Sequence, residues 1–223
     1  MIEEFERPLS LVEATMKGIR SAIIGGNLSL GQILTESYLQ KSFGFSKTPI
    51  REALAQLKAE GLVVSEVHKG FRVFKMDEKE LSEFCEYRLA LESHALKNAY
   101  KNDRLELVRV LKDFIKDFKE SIKENDFNKY NLIDTKFHKS FFILSSNRYL
   151  TKNYENINGI IETIRTHTGP VIVDNYKLID SINGHISIHK HIKAKNLNLA
   201  LEELDKHINS WHDDRIIKSL LIS

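Results

Sequence analysis

The first apolar repeat lies at residues 9–24, where Leu9, Val12, Met16, Ile19, Ala22 and Ile23 recur every three or four positions and so share one helix face. Gly25 and Gly26 stop it. Residues 31–34 are long enough only for an edge strand, after which Thr35 can cap a short helix through Leu39 to Phe43, ended by Gly44. A third helix follows almost at once. Ser46 or Thr48 can cap it, Pro49 is tolerated in its first turn, and Ile50, Ala53, Leu54 and Leu57 form its buried stripe up to Gly61. Two helices joined by a tight glycine-containing turn are a helix-turn-helix. The β-formers of 62–67 and 71–74 flank Lys69-Gly70 as a hairpin, which in this setting is a wing. Beyond Met76 the strand signal disappears, and helical periodicity runs over 77–100, 103–124, 126–144, 147–167, 174–193 and 197–221. Asp77, Asp103, Asp126, Asn147 and Asp174 stand where N-caps belong. The pattern predicts a mainly α protein: a winged helix-turn-helix over 1–76 and an all-helical bundle over 77–223.

Composition narrows this without changing it. A chain of 223 residues with 42% hydrophobic and 29% charged positions is globular rather than disordered, and 3 prolines and 10 glycines are too few for an all-β chain. The single cysteine, Cys85, excludes an intramolecular disulfide framework and a CxxC motif. Residues 1–10 lead into no apolar run, and no stretch of about 18 apolar residues follows, so a cytoplasmic protein without a membrane partner is expected. Net charge is only +2, but over 37–75 seven basic residues face three acidic ones, an excess of +4 that leaves the remainder net negative. Such a local excess on a helix-turn-helix is the footprint of a DNA reader, because each cation near a phosphate releases condensed counterions.

The first turn of the third helix would enter the major groove, and it carries Lys47, Thr48 and Arg51. Arg51 either makes a bidentate contact to guanine or forms a surface ion pair with neighbours on its own helix. The run Phe43-Gly44-Phe45-Ser46-Lys47-Thr48-Pro49-Ile50-Arg51-Glu52-Ala53-Leu54, followed by Leu57 and Glu60-Gly61-Leu62-Val63, resembles the signature of GntR-family winged-helix transcription regulators. The resemblance covers 19–74. It implies double-stranded operator DNA as a partner, read by Lys47, Thr48 and Arg51 with Lys69 and Gly70 of the wing. Three positions depart from the family pattern: Lys47 and Ser37 stand where arginine is customary, and Leu30 stands in place of proline.

Eight of the nine histidines lie beyond Met76. Asp134 and His138 are spaced i,i+4 and share a helix face, while His185 and His207 fall in the fifth and sixth expected helices. Convergence of these three imidazoles and one carboxylate would suit zinc, nickel or manganese; the alternative for Asp134 and His138 is an exposed helical ion pair. His189, one turn from His185, is a substitute or supporting ligand. The segment Asp134-x-x-x-His138 with Asn147-x-x-Leu150, and the segment His185-x-x-Ile188 with His207-Ile208, resembles the FCD-type ligand-binding domain of the FadR branch of the family. That resemblance implies a divalent metal on Asp134, His138, His185 and His207, and the count of six helices points to the VanR-like subgroup.

Arg88 sits in register with Leu81, Phe84, Cys85 and Ala95, which places a guanidinium on an apolar face. It either pairs with Glu92 at i,i+4 or clamps the carboxylate of a small effector beside the metal; Arg165 is a second candidate for that clamp. The expected function is a DNA-binding transcription regulator, a repressor by family habit, acting as a homodimer and controlled by a small organic acid at a metal-containing pocket. The alternative is a metal-dependent enzyme on the helical half. That reading would need a nucleophile or base such as the glutamate of HExxH, which the sequence lacks.

Overall fold

A computed structural model of the chain describes residues 8–66, 70–172 and 176–222. Contacts divide it into two compact units, one running to Lys75 and the other from Met76 to Ile222.

The first unit opens with α1 (Leu11–Ile24), whose N-terminus is closed by a capping box: the Ser10 side chain accepts from the Glu13 amide, and the Glu13 carboxylate accepts from the Ser10 amide. Then come β1 (Ile33–Leu34), α2 (Glu36–Phe43), α3 (Lys47–Ala59), β2 (Val63–Glu66) and β3 (Gly70–Val73). Thr35 caps α2, and Gly44 ends it in the left-handed region at φ 74°, which a side chain would resist. That single residue reverses the chain into α3 within three positions. The apolar stripes meet as their spacing requires: Ile19 and Ile23 of α1 are buried with Ile50, Ala53, Leu54 and Leu57 of α3. The sheet is antiparallel in the order β1-β3-β2, with Arg72 opposite both Ile33 and Val64. The edge strand and the wing hairpin therefore form one sheet.

The second unit is helical throughout its described residues. The helix α4 (Glu78–Lys123) is capped by Asp77 and broken at Asp103, whose backbone leaves the helical region at φ −153° and whose side chain accepts from the Glu106 amide at 2.9 Å. It is thus two rods, with the second restarted by a cap at the expected residue. There follow α5 (Phe127–Ser145), capped by Asp126; α6 (Arg148–Ile172), whose Leu150 amide donates to Asn147; α7 (Tyr176–Lys193); and α8 (Leu197–Asn209), capped by Asn196. Asp174, expected to cap the fifth helix, lies outside the described residues.

The end of the chain differs from expectation. The single helix expected over 197–221 is two: α8 stops at Asn209, a 3-10 turn covers Ser210–His212, Asp213 is extended, and α9 (Asp214–Ile222) restarts. The cause is local side-chain competition. Ser210 donates to the His207 carbonyl at 2.7 Å, and Asp213 accepts from the Arg215 amide at 2.9 Å. Counting both halves of α4, the described part of this unit has seven helical rods, so the six-helix count behind the subgroup resemblance does not hold. The core runs between α4 and α5, where Leu107, Leu111, Phe118, Phe137 and Phe141 are wholly buried. No helix among the described residues is long and apolar enough to cross a membrane.

Candidate metal and effector site

Four helices of the second unit bring their polar residues to one place. Asp134 and His138 come from α5, His185 from α7 and His207 from α8, and one ligand atom of each lies within 4.8 Å of the others. The i,i+4 spacing of Asp134 and His138 is no surface pair, since both residues are buried. The three imidazoles turn the same nitrogen inward: His138 Nε2 is 3.2 Å from His207 Nε2 and 3.3 Å from His185 Nε2. His185 Nε2 also lies 3.2 Å from Asp134 Oδ1. His189 is not part of this group; its ring meets the backbone of Val108.

The fourth helix, α4, supplies the support. Glu92 is wholly buried and uses both oxygens, one 2.6 Å from Arg88 Nε and the other 2.6 Å from His138 Nδ1. An ionised carboxylate only accepts, so the hydrogen-bond network assigns the imidazole proton of His138 to Nδ1 and leaves a lone pair on Nε2. Facing imidazole nitrogens with no room for a proton on each are what a cation relieves. Separations of 3.2 and 3.3 Å are short enough for His138 to share one cation with each of the other two rings. A carboxylate holding the far nitrogen of a ligating histidine is the usual outer support of such a site.

Charge is arranged to keep the donors ready. Burial would raise the Glu92 carboxyl, but Arg88 and His138 hold it down at about 2. Burial acts likewise on Asp134 and is overcome by Arg165, His138 and His185, so its carboxyl stays well below the usual range. Burial pushes His185 down to about 4, against the pull of Asp134, and burial with the help of the other two rings holds His207 well below the usual imidazole range. Both therefore remain neutral at ordinary pH, as ligation requires.

A cavity of about 640 Å³ adjoins this group and takes Asp134 and His207 into its wall. Arg88 and Arg165 line it as well. Of the two alternatives raised for Arg88, the i,i+4 pair with Glu92 is present; its Nη2 has no hydrogen-bond partner among the described residues, and its guanidinium lies 4.8 Å over the Trp211 ring. Arg165 is ion-paired with Asp134 and donates to Thr135 Oγ1 at 2.8 Å. Sequence reasoning missed the second role of Glu92, together with Trp211 and Gly184. A Cβ on Gly184 would sit 3.0 Å from His207 Nδ1, so glycine is what lets α7 and the His207 ring approach. Gly184→Ala is expected to shift that ring and weaken metal binding by about tenfold or more, the scale of outer-support losses, as read by competition with a chelating dye. Unchanged affinity would mean that the ring has slack.

In the first unit, Lys47, Thr48 and Gly70 are exposed, and the Arg51 side chain is 66% exposed. Lys69 lies outside the described residues. Ser46 makes no side-chain cap to α3, so the first-turn amides are not claimed by it. The ion pair weighed as the alternative for Arg51 does not run to neighbours on its own helix; Arg51 pairs with Glu36 of α2, because the tight turn at Gly44 lays that helix alongside.

Residues 11–73 match the bacterial regulatory proteins of the gntR family, and residues 83–210 match the FCD domain. The chain is 28% identical over 196 residues to the gluconate operon transcriptional repressor of Bacillus licheniformis, covering 86% of this chain and 79% of that protein. It is 30% identical over 189 residues to the probable D-xylose utilization operon transcriptional repressor of Paenarthrobacter nicotinovorans, covering 85% and 81%. The solved structure of E. coli McbR/YncC superposes with a TM-score of 0.73 over 91% of this chain and 95% of that one, at 19% identity, which speaks to the fold. These relatives are regulators, so the metal-dependent enzyme falls away as an alternative. A winged helix-turn-helix joined to a helical unit, matched along both parts, makes this chain a DNA-binding transcription regulator of the GntR family with an FCD domain.

Proposed function

We propose that the chain is a homodimeric repressor whose operator affinity is set by a carboxylate bound beside a divalent metal. Its metal ligands are Asp134, His138, His185 and His207; a donor set of three imidazoles and one carboxylate favours zinc, nickel or manganese over magnesium or calcium. Arg88 and Arg165 hold the effector carboxylate, since a guanidinium presents paired donors to planar anions. The observation that carries the reading is the sharing of one cavity by two buried arginines and two of the four donor residues. Repression follows the relatives, which are named repressors of gluconate and D-xylose operons. An effector alters operator affinity only by its differential affinity for the competent and incompetent states. The test is operator binding by the full chain, titrated with small carboxylic acids before and after chelation. An effect that needs both the acid and the metal supports the reading, and an acid that binds tightly without changing operator affinity sinks it.

On the DNA side, Lys47, Thr48 and Arg51 read the major groove, with Lys69 and Gly70 at the wing. Arg51→Ala is expected to cost about 1 to 3 kcal/mol of discrimination between operator and mismatched sites. Lys69→Ala should instead weaken all sequences evenly and reduce the salt slope. Gel-shift titrations at several salt concentrations separate the two, and unchanged sequence preference in Arg51→Ala would remove that residue from base readout.

A further inference from the structure

We infer that Glu36 of α2 is a positioning residue for base readout: it holds Arg51 of α3 by Nε and leaves the two terminal nitrogens as a pair of donors for one guanine edge. The inference rests on the proposed reading of Arg51 in the major groove and adds the residue that aims it. No acid on α3 is placed to do this. Lys47, one turn before Arg51, carries the same charge, Ala55, one turn after, has no polar side-chain atom, and Glu52 is the next residue, which on a helix does not face it. The carboxylate comes instead from 15 positions back, where Glu36 accepts from Arg51 Nε. The terminal nitrogens of Arg51 have no hydrogen-bond partner among the described residues.

Glu36 is the more fixed of the two. It opens α2 directly after the Thr35 cap, whose side chain accepts from the Tyr38 amide, and an acid in a first helical turn is favoured by the helix dipole. Its side chain is 31% exposed against 66% for Arg51. An exposed pair of this kind adds little to folding, so its consequence is for DNA. An unheld arginine at a groove meets phosphates, which carry no sequence information, at least as readily as base edges. A carboxylate beside it repels the phosphates, and a held Nε reduces the rotamer freedom lost when the guanidinium docks on a base. Ser37 adds no cation next to this carboxylate; the cations near it are Arg51 and, farther off, Lys47, both of α3. Glu36 therefore lowers affinity for DNA at large and sharpens the choice among sequences.

The test uses the full chain and the duplex that it enriches from a randomised pool, with each base pair of the half-site then varied singly. At the position whose preference is lost in Arg51→Ala, Glu36→Ala is expected to reduce the preference by about fivefold or more, the low end of what a bidentate contact discriminates. Affinity for unrelated duplex should stay level or rise, because a negative charge has left the DNA face. Glu36→Gln, which still offers an oxygen to Nε, should keep part of the preference. In the Arg51→Ala background Glu36→Ala should change the preference no further, since a positioning residue acts through its partner. Unchanged preference in Glu36→Ala would overturn the inference, and so would Glu36→Gln losing as much as Glu36→Ala. An equal loss with and without Arg51 would make Glu36 a reader in its own right, and a fall in affinity for every duplex alike would mark a merely structural role; either overturns it. Enrichment of no sequence, or preference intact in Arg51→Ala, would remove the base-readout reading and the inference with it.

Discussion

Arg88→Met is expected to lower the unfolding free energy of the second unit by about 3 to 5 kcal/mol, the scale of removing one partner from a buried ion pair. The side chains of Arg88 and Glu92 are 2% and 0% exposed, so the substitution leaves a carboxylate in the core with only His138 for company. Glu92→Gln alone should cost a similar amount by stranding the guanidinium. The double variant Arg88→Met with Glu92→Gln should be less damaged than the sum of the two, because no full charge is then left unpaired. Trp211 is the only tryptophan, and the Arg88 guanidinium covers its ring. Its fluorescence during urea unfolding therefore reports this unit and not the DNA-binding one. Single variants within about 1 kcal/mol of the parent would show that water reaches the pair. Effector measurements on Arg88→Met consequently need the double variant beside them, since loss of a ligand response in the single variant could come from loosening of α4.

Much of this arrangement could be read from residue spacing because it is written in local chemistry. Asp77, Asp103 and Asp126 cap where they stand, Gly44 forces the turn between α2 and α3, and the stripes of α1 and α3 are set by period alone. The i,i+4 spacing of Asp134 and His138 likewise fixes one face before any fold is known. What escaped were relations across helices. Glu92 is a plain helical partner of Arg88 in sequence, and only the packing of α4 on α5 brings its second oxygen to His138. The break after Asn209 escaped for a different reason. Leu204, Ile208, Trp211, Ile216 and Ile217 keep a nearly helical spacing through it, so periodicity runs on while Ser210 and Asp213 divert the backbone. That diversion delivers Trp211 and Asp213 to the cavity wall. Arg51 shows the same limit at the DNA face, where its partner Glu36 lies 15 positions away.

Removal of the metal should unfold the second unit at a markedly lower temperature and leave the first unit where it was. A ligand that binds only the folded state stabilises by RT ln(1 + [L]/Kd), about 4 kcal/mol when present at a thousand times its dissociation constant. For a unit of this size, each kcal/mol moves the thermal midpoint by about 2 to 4 °C, so chelation should lower it by roughly 8 to 16 °C. Because the chain has two units, a scan should resolve two transitions, and only the one followed by Trp211 should move. Elemental analysis of protein purified without chelator or affinity tag should find about one divalent transition metal per chain. His138→Ala and His207→Ala should each lose that metal and unfold near the temperature of the chelated parent. In those variants chelation should have no further effect, which separates loss of the ion from ordinary damage to the core. Stoichiometric metal retained by both variants would place the ion elsewhere in the chain. An unchanged midpoint after metal removal from the parent would mean that the facing imidazoles are held together by packing with Phe118 and Phe137 alone, whose rings lie 4.6 and 4.5 Å from that of His185.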